Sequence, residues 1–286
     1  MSISENDLSH PLREKPPRSA PSPLLLRIIP LQLYAGRPSV VLERALRTSK
    51  AFRWTILSGF FEPLFYLLAM GTGIGSLIGT INGPTGPTSY AAYIAPALLA
   101  TSAMNGAIFD STVNVFFKLN YAKTYDAMLA TSLGPADVAL GEISWALARG
   151  ALYATAFEVV MLCMRLVHSV WALLAVPVAI LIALGFAAVG MAVTTFLKTF
   201  QHLDWVTTAL MPMFLFSTTF YPLGVYPRGV QILVECLPLY HGIELMRGLT
   251  LGAVGIGMLG HAAYFVVMAV VGILVAARRL EKLLLR

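Results

Sequence analysis

The run Val170–Leu197, VWALLAVPVAILIALGFAAVGMAVTTFL, contains no charged residue, and its length decides the fold. At 1.5 Å per residue a helix needs about 20 apolar residues to cross roughly 30 Å of hydrocarbon. Lipid offers the backbone no hydrogen-bond partners, so such a run must satisfy its own amides as a helix. Working outward, five further stretches meet the same test: Trp54–Ile78, Ala91–Phe117, Ile143–Leu166, Trp205–Leu223 and Ala253–Ala277. The short stretch around Arg165 and His168 predicts a tight hairpin between the third and fourth spans. The composition agrees. Of 286 residues 57% are hydrophobic and 12% charged, and the mean hydropathy is +0.75. A soluble domain carries about 25% charge. The fold class expected is an all-α polytopic membrane protein with six transmembrane helices over 54–277.

Lys and Arg set the orientation, because cationic loops stay on the cytoplasmic side. Nine precede the first span, Lys118 and Lys123 follow the second, Lys198 the fourth, and Arg278, Arg279, Lys282 and Arg286 the sixth. The opposite side receives Arg165, Arg228 and Arg247, and Arg149 lies inside the third span. Both termini are therefore expected in the cytoplasm. Basic flanks account for the net charge of +6, so no nucleic-acid partner is expected. Residues 1–36, polar and rich in Pro and Ser at the start, read as a disordered cytoplasmic tail without a cleaved leader. Within 37–53, Val41, Ala45, Thr48 and Phe52 form one stripe of a helix and Glu43, Arg44, Arg47 and Lys50 the other side, the pattern of an amphipathic interfacial helix. Residues 278–286 form a cytoplasmic C-terminal tail.

Three features exceed what a plain bundle requires. Glu62, Asp110 and Arg149 are ionisable groups inside three different spans, each about 10 to 12 Å from the cytoplasmic end, with Glu158 further along the third. An unpartnered charge at the centre of a helix costs about 2.5–3.5 kcal/mol, so Arg149 is expected to pair with Glu62 or Asp110. The second feature is the loop 118–142, KLNYAKTYDAMLATSLGPADVALGE, longer than a linker needs. It has a helical segment over Thr124–Ala130, a break at Gly134 and Pro135, and a second helix start near Asp137. The third is the outer segment after YPLGVYP, where 228–250 predicts two short re-entrant helices. Glu244 and Arg247, three apart on a helix, read there as a local solvated pair.

Several chemistries lack their residues. The chain has no GxxxxGK[ST] phosphate loop, no HExxH, no GxSxG and no paired CxxC. Its two cysteines, Cys163 and Cys236, cannot form a disulfide scaffold. His10, His168, His202, His241 and His261 are scattered and read as structural. No metal site and no resident cofactor are expected, so energy from ATP must enter through another subunit.

The runs TYDAMLATSLGPADVALGEISWALARG (Thr124 to Gly150), LPLYHGIELMRGL (Leu237 to Leu249) and FEPLFYLLAMGTGIG (Phe61 to Gly75) resemble the permease subunits of type-2 ATP-binding-cassette exporters. Within them the likeness is to the branch of nodulation-factor (lipo-chitooligosaccharide) and daunorubicin export permeases. The resemblance implies a non-catalytic permease of a bacterial plasma membrane, paired with a second copy or a homologous permease. Two cytoplasmic ATPase subunits would hold ATP and magnesium. It implies ATPase coupling through Tyr125, Asp126, Ala127, Met128, Leu129 and Thr131, and an external gate that includes Pro238, Tyr240, Glu244 and Arg247. The expected cargo is an amphiphile: a glycolipid, a lipid-linked saccharide or a hydrophobic drug. Asn105, Asp110 and Asn114 on the second span and Met211, Phe214 and Thr218 on the fifth are the candidate walls of its path. Two other readings compete: a proton-coupled transporter using Glu62, Asp110 and Glu158, and a membrane-embedded lipid-modifying enzyme.

Overall fold

The computed structural model describes residues 39, 41–43, 53–131 and 133–284. The expected tail at 1–36 lies outside the described residues, as does most of the expected interfacial helix. Its described part, Ser39 and Val41–Glu43, is helical, with Val41 buried and Glu43 exposed.

The chain is all-α apart from one hairpin. Helix α1, Arg53–Leu68, widens into a π segment at Ala69–Ile74 and closes with a turn at Gly75–Ile78. Strands β1 (Thr80–Gly83) and β2 (Gly86–Ser89) pair antiparallel, Thr80 opposite Ser89. Ser89 then caps α2, Tyr90–Phe109, its hydroxyl accepting from the Ala92 N–H at 3.3 Å. A π segment at Asp110–Asn114 joins α2 to α3, Val115–Asn120. The short helix α4, Thr124–Leu129, precedes α5, Pro135–Cys163. A 3-10 turn at Val170–Leu174 leads into α6, Ala175–Thr194. Then follow α7 (His202–Phe216), α8 (Arg228–Glu235), α9 (Pro238–Leu251) and α10 (Gly257–Leu284).

Five of the described helical stretches are long and apolar enough to cross a bilayer: Phe61–Ile78, Tyr90–Asn120, Pro135–Cys163, Val170–Thr194 and Gly257–Leu283. The stretch expected as a fifth span, Trp205–Leu223, forms only the 15-residue α7. That helix stops at Phe216 because Thr218 takes a left-handed conformation, φ 62°, from which a β-branched residue cannot continue an α-helix. The third span starts earlier than its hydropathy indicated, at Pro135. Proline suits a first helical position because its missing N–H would have no partner there, and the Asp137 carboxylate accepts the Gly134 N–H at 2.9 Å.

Helix α6 is the centre of the bundle, packed against α2, α5 and α10. Two glycines permit this. A Cβ on Gly190 would lie 2.1 Å from the Ser111 hydroxyl, and one on Gly272 of α10 only 2.6 Å from the Ala188 carbonyl carbon. Small residues that let backbones touch are the usual means of helix association in lipid, where burial of apolar surface provides no net drive. The contact between α6 and the π segment is fastened by the Thr194 hydroxyl, which donates to the Ser111 carbonyl at 2.9 Å. The span through α2 is the most enclosed, while those through α1 and α10 leave most of their surface open.

Candidate functional site

Helices α1, α2, α5 and α7 enclose a cavity of about 1050 Å³. On α2 its polar lining is Thr101, Ser102 and Asn105, the last lying four and three residues beyond the other two, and Thr112 follows from the π segment, among the apolar Leu98, Ile108, Phe109 and Val113. The facing wall, from α7, is mostly apolar: Val206, Leu210, Met211 and Phe214 beside Thr207 and Thr208. Glu62 and Tyr66 border it from α1, Arg149 and Tyr153 from α5. Glu62 and Arg149 are the two charged residues among the described lining.

Of the two partners available to Arg149, it takes Asp110, forming an ion pair in which both side chains are largely enclosed. Asn114 Nδ2 donates to Asp110 Oδ1 at 2.6 Å. Asp110 is 5% exposed and its Oδ2 has no hydrogen-bond partner. The Asp110 carboxylate, at the start of the π segment, meets Arg149 of α5 and is not part of the cavity lining. Glu62 is exposed and forms no ion pair with Arg149. Asn105, Met211 and Phe214 line the cavity, whereas Asp110, Asn114 and Thr218 do not. Glu158, on α5, is buried and stands apart from this group.

At the end of the bundle that holds α4, Lys118 binds Glu142 at 2.6 Å and ties α3 to α5. Tyr125 and Met128 of α4 are buried, while Asp126, Ala127 and Thr131 are exposed. Thr131 donates to the Met128 carbonyl at 2.5 Å, and Leu129 ends the helix. Helix α4 therefore has one face seated on α3, α5 and α10 and another turned outward.

At the opposite end the expectation of a solvated Glu244–Arg247 pair is corrected. Arg247 is 2% exposed. Its guanidinium lies 3.9 Å from the centre of the Tyr93 ring. Nη1 donates to Glu244 Oε1 at 2.9 Å and Nη2 to the Thr218 carbonyl at 2.8 Å. Helix spacing indicated the Glu244 contact, but Tyr93 and Thr218, far away in sequence, determine the depth. Pro238 opens α9, and Tyr240 stands edge-on to His241 with ring centroids 5.5 Å apart. Burial, followed by the Glu244 carboxylate, pushes the Tyr240 hydroxyl up to about 12. His241 Nδ1 approaches His261 Nδ1 at 2.7 Å, joining α9 to α10. Burial, and then the neighbouring His261, hold the His241 imidazole below the ordinary histidine range. Sequence reasoning missed this pair, because twenty residues separate its members and no local spacing reveals it. The cavity's polar groups on α2 had a visible signal in the three- and four-residue spacing of Thr101, Ser102 and Asn105.

A bundle of helices long and apolar enough to cross a bilayer, with a cavity between them, is the architecture of a polytopic membrane protein. Residues 39–251 match the family model described as ABC-2 type transporter, and the chain belongs to that family. It is 31% identical over 242 residues to Nodulation protein J of Rhizobium leguminosarum bv. viciae, covering 84% of this chain and 92% of that one. Nodulation protein J of Rhizobium meliloti (strain 1021) is 31% identical over 200 residues, 70% of this chain and 75% of that one. The inner membrane transport permease YadH of Escherichia coli (strain K12) is 26% identical over 220 residues, 76% and 82% of the two chains. Membership makes this chain a non-catalytic, multi-pass permease subunit that works with a separate ATP-binding subunit.

Proposed function

We propose that the chain is the permease of an ATP-driven exporter that moves an amphiphile outward through the cavity between α1, α2, α5 and α7. The observation that carries this reading is a two-sided wall: the polar groups of Ser102 and Asn105 on α2 with Glu62 and Arg149 beside them, and the mostly apolar side chains of α7. Such a wall accommodates both a polar head and an aliphatic or aromatic body. A glycolipid, a lipid-linked saccharide or a hydrophobic drug each has this form.

The working unit is a pair of permeases, this chain with a second copy or a homologue, carrying two cytoplasmic ATPase subunits that hold ATP and magnesium. Both termini and α4 face the cytoplasm, and α7 with its following segment completes a sixth crossing. The exposed face of α4, with Asp126, Ala127 and Thr131, meets the ATPase, while buried Tyr125 and Met128 transmit its displacement to α3, α5 and α10. Helices α8 and α9 lie at the external mouth and close it. ATP can bias such a cycle only because the partner binds it with different affinity in the two states.

The test is reconstitution of the chain with its ATP-binding subunit in vesicles. The expected result is ATP-dependent movement of an amphiphile, lost when Asn105→Trp fills the cavity. Gradient-driven movement by this chain alone would instead establish the proton-coupled alternative.

A further inference from the structure

The cavity's charges are unequal in what balances them, and this bears on its cargo. Arg149 reaches the cavity from a buried ion pair with Asp110, and that carboxylate is further held by Asn114. The Arg149–Asp110 unit is therefore close to neutral as seen from the cavity. Glu62 is the other charged group on the wall, and among the described residues no cation stands within ion-pair distance of it.

Aromatic side chains line the same surface as Glu62. Phe61 and Phe65, its neighbours on α1, stack with centroids 5.7 Å apart. Tyr66, one turn further on, meets Phe214 of α7 edge to face at 6.0 Å. Glu62 lines the cavity and also a shallower apolar groove formed with these α1 rings. A carboxylate on a surface shared with aromatic rings suits an ammonium group: the acid supplies the counter-charge, and ring quadrupoles attract a cation without hydrating it. An anion at the same place would face an uncompensated negative charge in a medium that screens poorly.

The geometry points to Glu62 as the residue that selects cargo by charge, favouring amphiphiles that carry an ammonium group over neutral ones and disfavouring anionic ones. This rests on the cavity being the cargo path, and it assigns the head-group chemistry that the two-sided wall leaves open.

The test uses the permease with its ATP-binding subunit in vesicles of phosphatidylcholine. Three probes sharing one dodecyl chain are compared below their micellar concentrations: dodecyltrimethylammonium, octaethylene glycol monododecyl ether and dodecyl sulfate. The readout is the concentration giving half-maximal stimulation of ATP hydrolysis, expressed for each ion relative to the neutral ether in the same variant. That ratio removes differences in folding and assembly. In the unaltered complex the ammonium probe should act at about tenfold lower concentration than the sulfate. Glu62→Gln should bring the two ions to within about twofold of one another, and Glu62→Asp should keep the order. Asp110→Asn, which leaves Arg149 uncompensated, should move the order toward the sulfate. Equal action of the ions in the unaltered complex, or an ammonium preference that survives Glu62→Gln, overturns the inference while the cavity reading stands. If Asn105→Trp abolishes no stimulation, or none of the three probes stimulates, the cavity reading falls and the inference falls with it.

Discussion

Arg149 and Arg247 are both arginines inside a helical bundle, and the chain handles them in opposite ways. Arg149 has a carboxylate partner, Asp110, and keeps a side toward a cavity. Arg247 has a tyrosine ring, a backbone carbonyl and a partly exposed Glu244, and no open space. The first arrangement neutralises a charge and leaves it in contact with whatever enters. The second immobilises a charge by covering it. An arginine can therefore meet an incoming molecule only where its surroundings leave room, and that distinguishes the Asp110–Arg149 pair from the α9 cluster.

Removing each arginine tests the contrast. Arg247→Met deprives Glu244 and the Thr218 carbonyl of their donor and should cost about 3–5 kcal/mol, the range for breaking a buried charged contact. Thermal unfolding of the purified permease in detergent, together with its yield in membranes, would show this. Arg149→Met should cost somewhat less, about 3 kcal/mol, because Asp110 keeps its hydrogen bond from Asn114. The double change Asp110→Leu with Arg149→Met should recover most of that loss, whereas no single second-site change should rescue Arg247→Met. Equal rescue at both sites would erase the distinction.

Gly190→Ala probes the backing of the first site. Its added methyl would push on Ser111, next to Asp110, and should cost about 1–3 kcal/mol as overpacking, with a melting curve as the check. The smallest effect concerns the α9 side. The folded His241 binds its proton less readily than the unfolded residue, so the unfolded state takes up more protons as pH falls. That contribution is fully present above about pH 6.5, the ordinary histidine value, and declines as pH drops through the lowered folded value. On a partly exposed group it amounts to well under about 1 kcal/mol. Melting temperature between pH 7.5 and 5 should fall less in His241→Asn than in the unaltered chain.

Much of the architecture could be read from the residues. Apolar length located four spans to within several residues, and Gly134, Pro135 and Asp137 marked where α5 starts. The same Asp137 shows why its hydropathy boundary was late: capping chemistry extends α5 beyond its apolar part. The α7 stretch was overestimated because hydropathy does not register that Thr218 takes a conformation ending a helix. The hairpin at Thr80–Ser89 passed unmarked, its ten residues rich in Gly, Pro and Thr reading as an ordinary connection. At the candidate site, Asp110 and Asn114 do share one face, as their spacing indicated. Both lie in a π segment and off the cavity lining, and a regular helical wheel does not represent such a segment. Arg247 looked solvated because the ring that covers it comes from α2, more than a hundred residues earlier.

The glycine contacts of α6 restrict how such a machine could change shape. Gly272 sets α10 directly on the main chain of α6 at Ala188 and Val189, and Gly190 receives the Ser111 side chain where any larger residue would collide with it. Held this closely by two neighbours, α6 has little room to shift. Whatever travel a transport cycle requires must be distributed among the loosely held members, and α1, which borders the cavity and leaves most of its flank uncovered, is the foremost of them.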